Sequence, residues 1–271
     1  MKQLLLIFCF FFLTIAMYAK ELPFQANEEL KYDIHYKYGL VMLKAGTANY
    51  KVVASRYNNV NSLYTVLDFK TTSFFDRIYK MRDTLSSHIT ANLEPLYHVR
   101  SVHEGNFHFR EEVFFNSFGK NYSQVRVKRT SWEAIRFDTV LSTNNFGYDI
   151  VNILQYIRSF DYSQMKVPTD NISTFFGREN VKITIRNEGQ SIVERGDALK
   201  YKTYRIALDF TDSVFNESKS AIEIWLSDDE NRVPVKIRAK LKIGVAEVYL
   251  TSWKNLKYPF SSEIRIPVKR N

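Results

Sequence analysis

The feature that most limits the fold of this chain is a strict alternation of apolar and polar residues. From Val233 to Ile243 every odd-numbered residue is apolar. The even-numbered positions include four cations: Lys236, Arg238, Lys240 and Lys242. A period of two places successive side chains on opposite faces of a β-strand, so this segment predicts a strand with one apolar and one cationic face. Pro234, near its start, favours an edge strand or the first position of a strand.

Weaker alternation recurs along the chain and predicts about a dozen strands. With only 9 Gly and 6 Pro against 15% aromatic residues, the composition also favours strands. Two segments are typical of hairpin turns, Gly105-Asn106 and the acidic run from Asp228 to Asn231. We therefore expect a mainly β protein, with a strongly curved antiparallel sheet or a partly closed barrel. The other predicted strands are 30–38, 45–54, 63–70, 78–89, 96–104, 107–116, 122–129, 181–186, 201–210, 221–226, 245–253 and 264–268.

One long segment departs from the period of two. Asp149 is suited to cap a helix from Ile150 to Phe160, whose apolar residues recur on one side. We expect this helix to pack on the sheet, either inside its concave side or as a lid. A short helical turn is expected at 73–77 and a long loop at 168–177. Because no repeat or low-complexity linker occurs, residues 20–271 are interpreted as one domain, with a division near the helix as the alternative.

The first residues indicate export. A charged start is followed by the apolar run 4–16 and then by polar residues, which is typical of a secretory signal peptide spanning 1–19. Cleavage is expected after Ala19, with cleavage after Ala16 or a retained anchor as alternatives. The only cysteine, Cys9, lies within this segment, so the processed chain would contain neither disulfides nor thiolate metal sites. This combination favours the periplasm of a Gram-negative bacterium.

Motifs for catalysis or metal binding are weak in this sequence. Of the five histidines, His103 and His108 would face each other across the hairpin at Gly105-Asn106, but two ligands make a weak metal site. The acidic turn lacks the ligand spacing of a calcium loop, and no nucleophile elbow or phosphate-binding glycine loop occurs. We therefore predict no metal, cofactor or catalytic residue, and an uncharacterised hydrolase is only the third hypothesis for function.

The two faces of the sheet suggest binding instead. The formal net charge of +9, or +8 without the signal peptide, would attract anionic partners such as lipid head groups, and nucleic acid is not expected in that compartment. The cationic positions Lys236, Arg238, Lys240 and Lys242 are the candidates for contact with an anionic surface. Residues on the opposite, concave side would either fill the sheet or enclose an acyl chain. These candidates are Tyr32, Ile34, Tyr36, Tyr204, Ile206, Leu208, Phe210, Val235, Ile237 and Leu241.

The main functional hypothesis is a non-catalytic envelope protein that binds or carries a hydrophobic or anionic component. The alternative is an interaction or scaffold protein whose sheet is fully packed and whose surface meets another envelope protein. Three Asp-Ser/Thr-aliphatic segments also match a short O-glycosylation acceptor pattern used in Bacteroidota. Their acceptors would be Thr84, Thr139 and Ser213.

Three regions of the sequence resemble exported Gram-negative proteins that form the family called domain of unknown function 3108. They are 28–34 with 44–48, 148–150 with 156–158, and 224–226 through 233–235 to 243–244. A departure is Glu28-Glu29, where the family usually has Gly-Glu. The segment 225–243 is also remotely similar to a hairpin of lipoprotein-carrier half-barrels, which shield acyl chains. The resemblance implies a β fold and no established activity, so no site residues are transferred from it.

Overall fold

A computed structural model describes residues 21–195, 199–211 and 218–265. Within these residues the chain forms sixteen strands in one sheet and two helices. The predicted signal peptide with Cys9, the possible acceptor Ser213 and the end of the last predicted strand lie outside the described residues.

The strands follow one another closely, as the alternation predicts. The helices are α1 (Ser73–Asp76) and α2 (Ile150–Arg158). The strands are β1 (Glu29–Tyr38), β2 (Val41–Tyr57), β3 (Val60–Thr71), β4 (Arg82–Ile89), β5 (Pro95–Glu104), β6 (Phe107–Ser117), β7 (Ser123–Ser131), β8 (Ala134–Thr143), β9 (Phe146–Tyr148), β10 (Thr169–Phe176), β11 (Glu179–Arg195), β12 (Leu199–Thr211), β13 (Ser218–Ser227), β14 (Pro234–Lys240), β15 (Val245–Lys254) and β16 (Glu263–Arg265).

The sheet consists of two antiparallel meanders joined by one long-range pair. Strands β1 to β8 are neighbours in chain order, as are β10 to β15, and β1 pairs with β15. The short β9 lies parallel to β10, and β16 pairs with β12 beside this path. The strand order therefore begins at β8 and ends at β9, which follow each other in the chain.

Side chains rather than a strand ladder hold these two ends together. The Ser123 hydroxyl on β7 accepts a hydrogen bond from the Gly147 amide (3.0 Å) and donates to the carbonyl of Asn145 (2.9 Å). The hydroxyls of Thr143 and Ser173 are 3.0 Å apart across the same gap. The ring of Phe175 packs against a small cluster of valines on β6 and β7. The sheet is thus nearly closed and barrel-like.

Helix α2 lies inside this barrel. Its N-cap is Asp149, whose carboxylate accepts hydrogen bonds from the backbone amides of Val151 and Asn152, both at 3.0 Å. Buried side chains project from several sides of the helix, and the polar Gln155 and Arg158 are among them. A helix that merely rested on a sheet would keep one side in solvent. Protein therefore surrounds α2, and of the two predicted placements the inside one is correct.

Most predicted elements are confirmed, with differences at the ends of the sheet. The structure has sixteen strands where about a dozen were expected and thirteen segments were predicted. The three additional strands are β8, β9 and β10. The expected loop at 168–177 is wrong, since β10 occupies most of it. The predicted strand 233–243 ends at Lys240, where the chain turns toward β15. Pro234 occupies the first position of β14, and β14 is an internal strand of the sheet. The missing amide hydrogen is therefore tolerated because Pro234 begins the strand, and not because the strand lies at an edge.

Candidate functional site

The interior of the barrel is not completely filled. A cavity of about 220 Å³ lies between one side of α2 and the sheet, and it is partly open to solvent. Its walls contain no charged side chain, and apart from two tyrosines they are entirely apolar. Helix α2 contributes Ile150, Ile153, Leu154 and Ile157. The sheet contributes Tyr32, Ala48, Tyr50, Leu67, Phe69, Leu208, Ile222, Ile224, Ile237 and Val248.

The period of two explains why these residues share one space. Leu208 pairs with Ile222, and Ile237 pairs with both Ile224 and Val248, so the inward faces of β12 to β15 form a continuous apolar wall. Leu208 and Val248 lie three residues from the strand end at which β14 turns into β15. Ile237 is the middle residue of β14, and Tyr32 lies six residues from the same end of β1. The cavity therefore extends from near that end to the middle of the barrel.

The structure brings three of the predicted concave residues to this cavity: Tyr32, Leu208 and Ile237. Five others face the interior as apolar packing around it. Ile206 and Phe210 are buried in the core beside α2, with the half-buried Tyr204 at its margin. Val235 and Ile34 pack in the neighbouring core. Two lie elsewhere. Tyr36 donates a hydrogen bond to the carbonyl of Ile243 (3.2 Å), and Leu241 is exposed in the β14–β15 turn.

The apolar side of the predicted helix, with Ile150, Ile153, Leu154 and Ile157, also lines the cavity. The remaining cavity residues of the sheet were not predicted. Ala48, Leu67 and Val248 belong to strands that were predicted, with the same alternation as their neighbours. The alternation shows which face of each strand is apolar. It does not show which part of that face meets helix α2 and which part meets another strand.

Polar groups fix α2 at its C-terminal end. Arg158 and Glu28 form an ion pair (2.6 and 2.9 Å) in which both side chains are 0% exposed. Arg158 also donates to the carbonyl of Asn231 (2.9 Å), and its guanidinium lies over the ring of Phe24. Burial lowers the pKa of the Arg158 guanidinium, but the negative charge of Glu28 outweighs this and raises the pKa above its usual range. The Arg158 guanidinium therefore keeps its positive charge inside the protein.

A second buried network fixes the N-terminal end of α2. The Ser87 hydroxyl donates to the Asp149 carboxylate (2.7 Å) and lies 2.8 Å from Nδ1 of His98. Since the Ser87 proton is committed to Asp149, Nδ1 of His98 carries the hydrogen in this arrangement. Burial lowers the pKa of the His98 imidazole, although the charge of Asp149 opposes the shift.

These three residues place serine, histidine and aspartate together, but not as a catalytic triad. Ser87, His98 and Asp149 are 1%, 5% and 2% exposed, and none of them lines the cavity. In a triad the serine proton goes to histidine, whereas here it goes directly to the carboxylate that caps α2. The arrangement therefore acts as an extended helix cap.

The predicted cationic face is partly neutralised by acidic residues on the adjacent strands. Arg238 lies 2.8 Å from Glu223, which Arg205 also contacts. Lys236 lies 3.6 Å from Glu247 and over the rings of Trp225 and Tyr249. Burial raises the pKa of the Glu223 carboxyl, but hydrogen bonds from Arg205 and Arg238 outweigh it, so that pKa lies below its usual value. Lys240 ends the strand and Lys242 lies in the following turn, both exposed.

The predicted histidine pair and the two possible acceptors in the described chain lie at half-buried or exposed positions. His103 and His108 are directly paired across the hairpin, with ring centroids 5.5 Å apart. Among the residues that the structure describes, no cluster of three or more potential metal ligands occurs. Thr84 is half-buried and donates to Asp68 (2.7 Å), and Thr139 is half-buried within β8. In the described part of the chain, no helix has the length and apolar character needed to span a bilayer.

The fold and the cavity define a class of protein: a nearly closed, barrel-like β-sheet that surrounds one helix and keeps an apolar space beside it. A solved structure with a similar fold is the β-barrel-like protein of domain of unknown function DUF1849 from Brucella abortus. The two structures align with a TM-score of 0.58 and 11% sequence identity, over 85% of this chain and 98% of that one. At this identity the similarity concerns the fold alone.

The family is defined by sequence. Residues 31–251 match the family described as Protein of unknown function (DUF3108), and the chain belongs to it. This confirms the resemblance seen in the sequence motifs. No curated protein matches the chain.

Proposed function

We propose that this protein binds the apolar chain of a lipid-like molecule in the cavity between α2 and the sheet. The single observation that carries the proposal is the cavity itself, which has about 220 Å³ of space and no charged lining residue. Well-packed protein interiors contain few spaces larger than a water molecule. An unfilled apolar space of this size gives up contacts and costs stability, and a ligand would restore those contacts.

The size and lining of the cavity restrict the ligand. An engineered apolar cavity of about 150 Å³ holds one benzene molecule, whereas pockets for drug-sized ligands begin near ~300 Å³. The cavity therefore suits one acyl chain or a comparable apolar group, and is too small to enclose a lipid with several chains. The polar end of such a ligand would remain at the opening, because the walls offer it no charged partner.

The proposal narrows the hypothesis of a lipid carrier that the sequence suggested. Lipoprotein-carrier half-barrels shield acyl chains, and this cavity has room for one such chain. Export to the periplasm remains part of the proposal, since an acyl-binding protein in the envelope would meet its ligand there. Determination of the N terminus of the processed protein by mass spectrometry tests that part, and a first residue of Lys20 is expected.

The binding test is a calorimetric titration of residues 20–271 with hexanoate, decanoate and hexadecanoate. We expect affinity to rise from hexanoate to decanoate and then to level off, because the cavity can bury only part of the longest chain. The variant Ala48→Leu places a larger side chain in the cavity and should weaken decanoate binding by at least about tenfold.

The matched control is Ala54→Leu. Ala54 lies on the same strand, β2, but is exposed and outside the cavity. The Ala54→Leu variant should bind decanoate as the unaltered protein does. Absence of binding for all three fatty acids, or equal binding by the two variants, would overturn the proposal. A fully packed interaction protein would then be the better interpretation.

A further inference from the structure

One end of the barrel combines exposed apolar side chains with an excess of positive charge. Three segments meet there: 37–44 around the β1–β2 turn, 70–82 around α1, and 240–244 around the β14–β15 turn. We call these segments the rim. Lys37 pairs with Val245, which directly follows the third segment, so the first and third segments are adjacent. The amide of Thr72 donates to the carbonyl of Ala45 (2.9 Å), which directly follows the first segment, so the first and second segments are adjacent too.

The rim contains ten of the eighteen large hydrophobic side chains that are exposed in the described part of the chain. Leu40, at the tip of the β1–β2 turn, is fully exposed, and Ile78 is 70% exposed. Scattered exposed hydrophobic residues are normal on a protein surface, but a contiguous group marks a contact site. The ten are Tyr38, Leu40, Val41, Met42, Leu43, Phe74, Ile78, Tyr79, Leu241 and Ile243.

The same segments carry most of the net charge of the protein. They contain eight lysine or arginine residues and a single acidic residue, Asp76, which gives a net charge of +7 out of +9 for the whole chain. Asp76 already pairs with Arg82 (2.6 Å), and Lys44 pairs with Asp33 (2.8 Å). The exposed cations Lys37, Arg77 and Lys80 form no ion pair with a described residue.

From this combination we infer that the rim docks on the surface of an anionic lipid bilayer. Apolar and aromatic side chains flanked by lysine and arginine are the composition of interfacial membrane contacts, where the apolar groups enter the headgroup region and the cations meet lipid phosphates. A second copy of the chain fits poorly. A symmetric dimer would place the two rims together, and each would bring a net charge of +7.

The rim lies at the end of the barrel that the cavity approaches. Of the residues that line the cavity, Leu208 and Val248 lie three residues from the strand ends on this side. A rim resting on a bilayer would hold the barrel with this end toward the lipid. The inference does not depend on the cavity being filled, because the contact is made by the rim alone.

The test is co-sedimentation of residues 20–271, which contain every described element, with vesicles of phosphatidylglycerol and of phosphatidylcholine. We expect binding to phosphatidylglycerol vesicles that falls by at least about tenfold from ~0.01 M to ~1 M salt, and weak binding to phosphatidylcholine. The apolar variant Leu40→Ser with Ile78→Ser and Ile243→Ser should bind at least about tenfold more weakly. The charge variant Lys37→Gln with Lys80→Gln and Lys242→Gln should lose affinity and much of its salt dependence.

Each variant has a matched control outside the rim. Val167→Ser with Ile192→Ser removes side chains that are 73% and 58% exposed. Lys31→Gln with Lys120→Gln and Lys254→Gln removes three exposed cations elsewhere. Both controls should bind vesicles as the unaltered protein does. Absent binding to phosphatidylglycerol, or equal binding by rim variants and controls, would overturn the inference. A dimer that the rim variants abolish would assign the rim to a second copy instead.

The variant Ala48→Leu separates this inference from the proposed function. It should lose decanoate and still co-sediment with phosphatidylglycerol vesicles. If Ala48→Leu loses both decanoate binding and vesicle binding, membrane contact requires a bound acyl chain and the rim does not make that contact alone.

Discussion

The two sides of α2 differ sharply in how they are held. One side is anchored by buried polar groups: Arg158 with Glu28 at one end, Asp149 with Ser87 and His98 at the other, and Gln155 with Thr65 (2.8 Å) between them. The other side presents Ile150, Ile153, Leu154 and Ile157 to a cavity that the protein does not fill. The helix is therefore fixed by directional contacts on one side and packed only in part on the other, where Ile153 and Ile157 still belong to the buried core.

The difference between the two sides gives a physical reason why the cavity beside α2 can stay open. Apolar packing on the cavity side is incomplete, whereas buried ion pairs and hydrogen bonds hold the opposite side of the helix in place with the cavity open. Buried ion pairs are rarely the most stable choice, but they specify one arrangement. The anchored side can thus keep the cavity open, and the variants below test this interpretation.

The largest effect is expected from breaking the ion pair. Arg158→Met leaves the Glu28 carboxylate buried without a partner and should lower the free energy of unfolding by about 3–5 kcal/mol. Denaturant unfolding followed by circular dichroism measures the change. The control is Arg126→Met, since Arg126 pairs with Asp138 at an exposed site and its loss should change the free energy of unfolding far less. Adding Glu28→Leu to Arg158→Met should recover part of the loss, although the Asn231 carbonyl then lacks its donor.

The second-largest loss of stability is expected from removing the N-cap of α2. Asp149→Ala removes the acceptor for two helix amides and for Ser87, and should cost about 2–3 kcal/mol. The same unfolding measurement applies. Asp161→Ala, at an exposed bend where the carboxylate accepts from Ser163, is expected to change stability far less. A similar loss in the two variants would mean that the cap does not anchor α2.

A pH dependence should come from His98. Its pKa in the folded protein lies below the ordinary value of 6.5 because burial disfavours the charged imidazole, despite Asp149 and Glu111 nearby. The unfolded chain therefore binds this proton more readily, and stability is lost as the pH falls below about 6.5, by at most about 1.4 kcal/mol per pH unit.

His98→Gln should remove that part of the pH dependence. Burial also lowers the pKa of His88, but His88 is present in both proteins, so the difference between their pH profiles isolates His98. The exposed His103→Gln serves as the control for replacing an imidazole by an amide side chain. Stability curves of the unaltered protein and His98→Gln that run parallel between pH ~5 and ~7 would contradict the expectation.

The smallest effect lies on the cavity side and has the opposite sign. Ala48→Leu should raise the free energy of unfolding by about 0.5–1 kcal/mol, because the added side chain fills space beside α2. Thermal unfolding without ligand measures it, with Ala54→Leu for comparison. Destabilisation by more than about 1 kcal/mol would show that the space is too tight for the larger side chain, and so that it is not a true cavity.

Much of the fold was predictable because its signals are local. The alternation from Val233 and the cap at Asp149 act within a few residues, and the strand and the helix that they predict are both present. The missed strands lack such signals. In β8 apolar residues occur on both faces, and Ile135 and Val140 are exposed there, so no clean alternation appears. In β10 polar residues follow Pro168 and resemble a loop, and β9 has only three residues.

The sequence by itself determined the mainly β character, the position of α2 and the inward faces of the strands, since these follow from side-chain direction along a strand or helix. Only the tertiary structure decided that Glu28 meets Arg158, 130 residues away, that Glu223 pairs with Arg238, and that Tyr32, Leu208 and Ile237 border one cavity. Those contacts depend on how sheet curvature brings distant strands and the helix together. Residues with the same local alternation therefore have different neighbours in the folded protein, and a short segment of sequence does not show which neighbours they have.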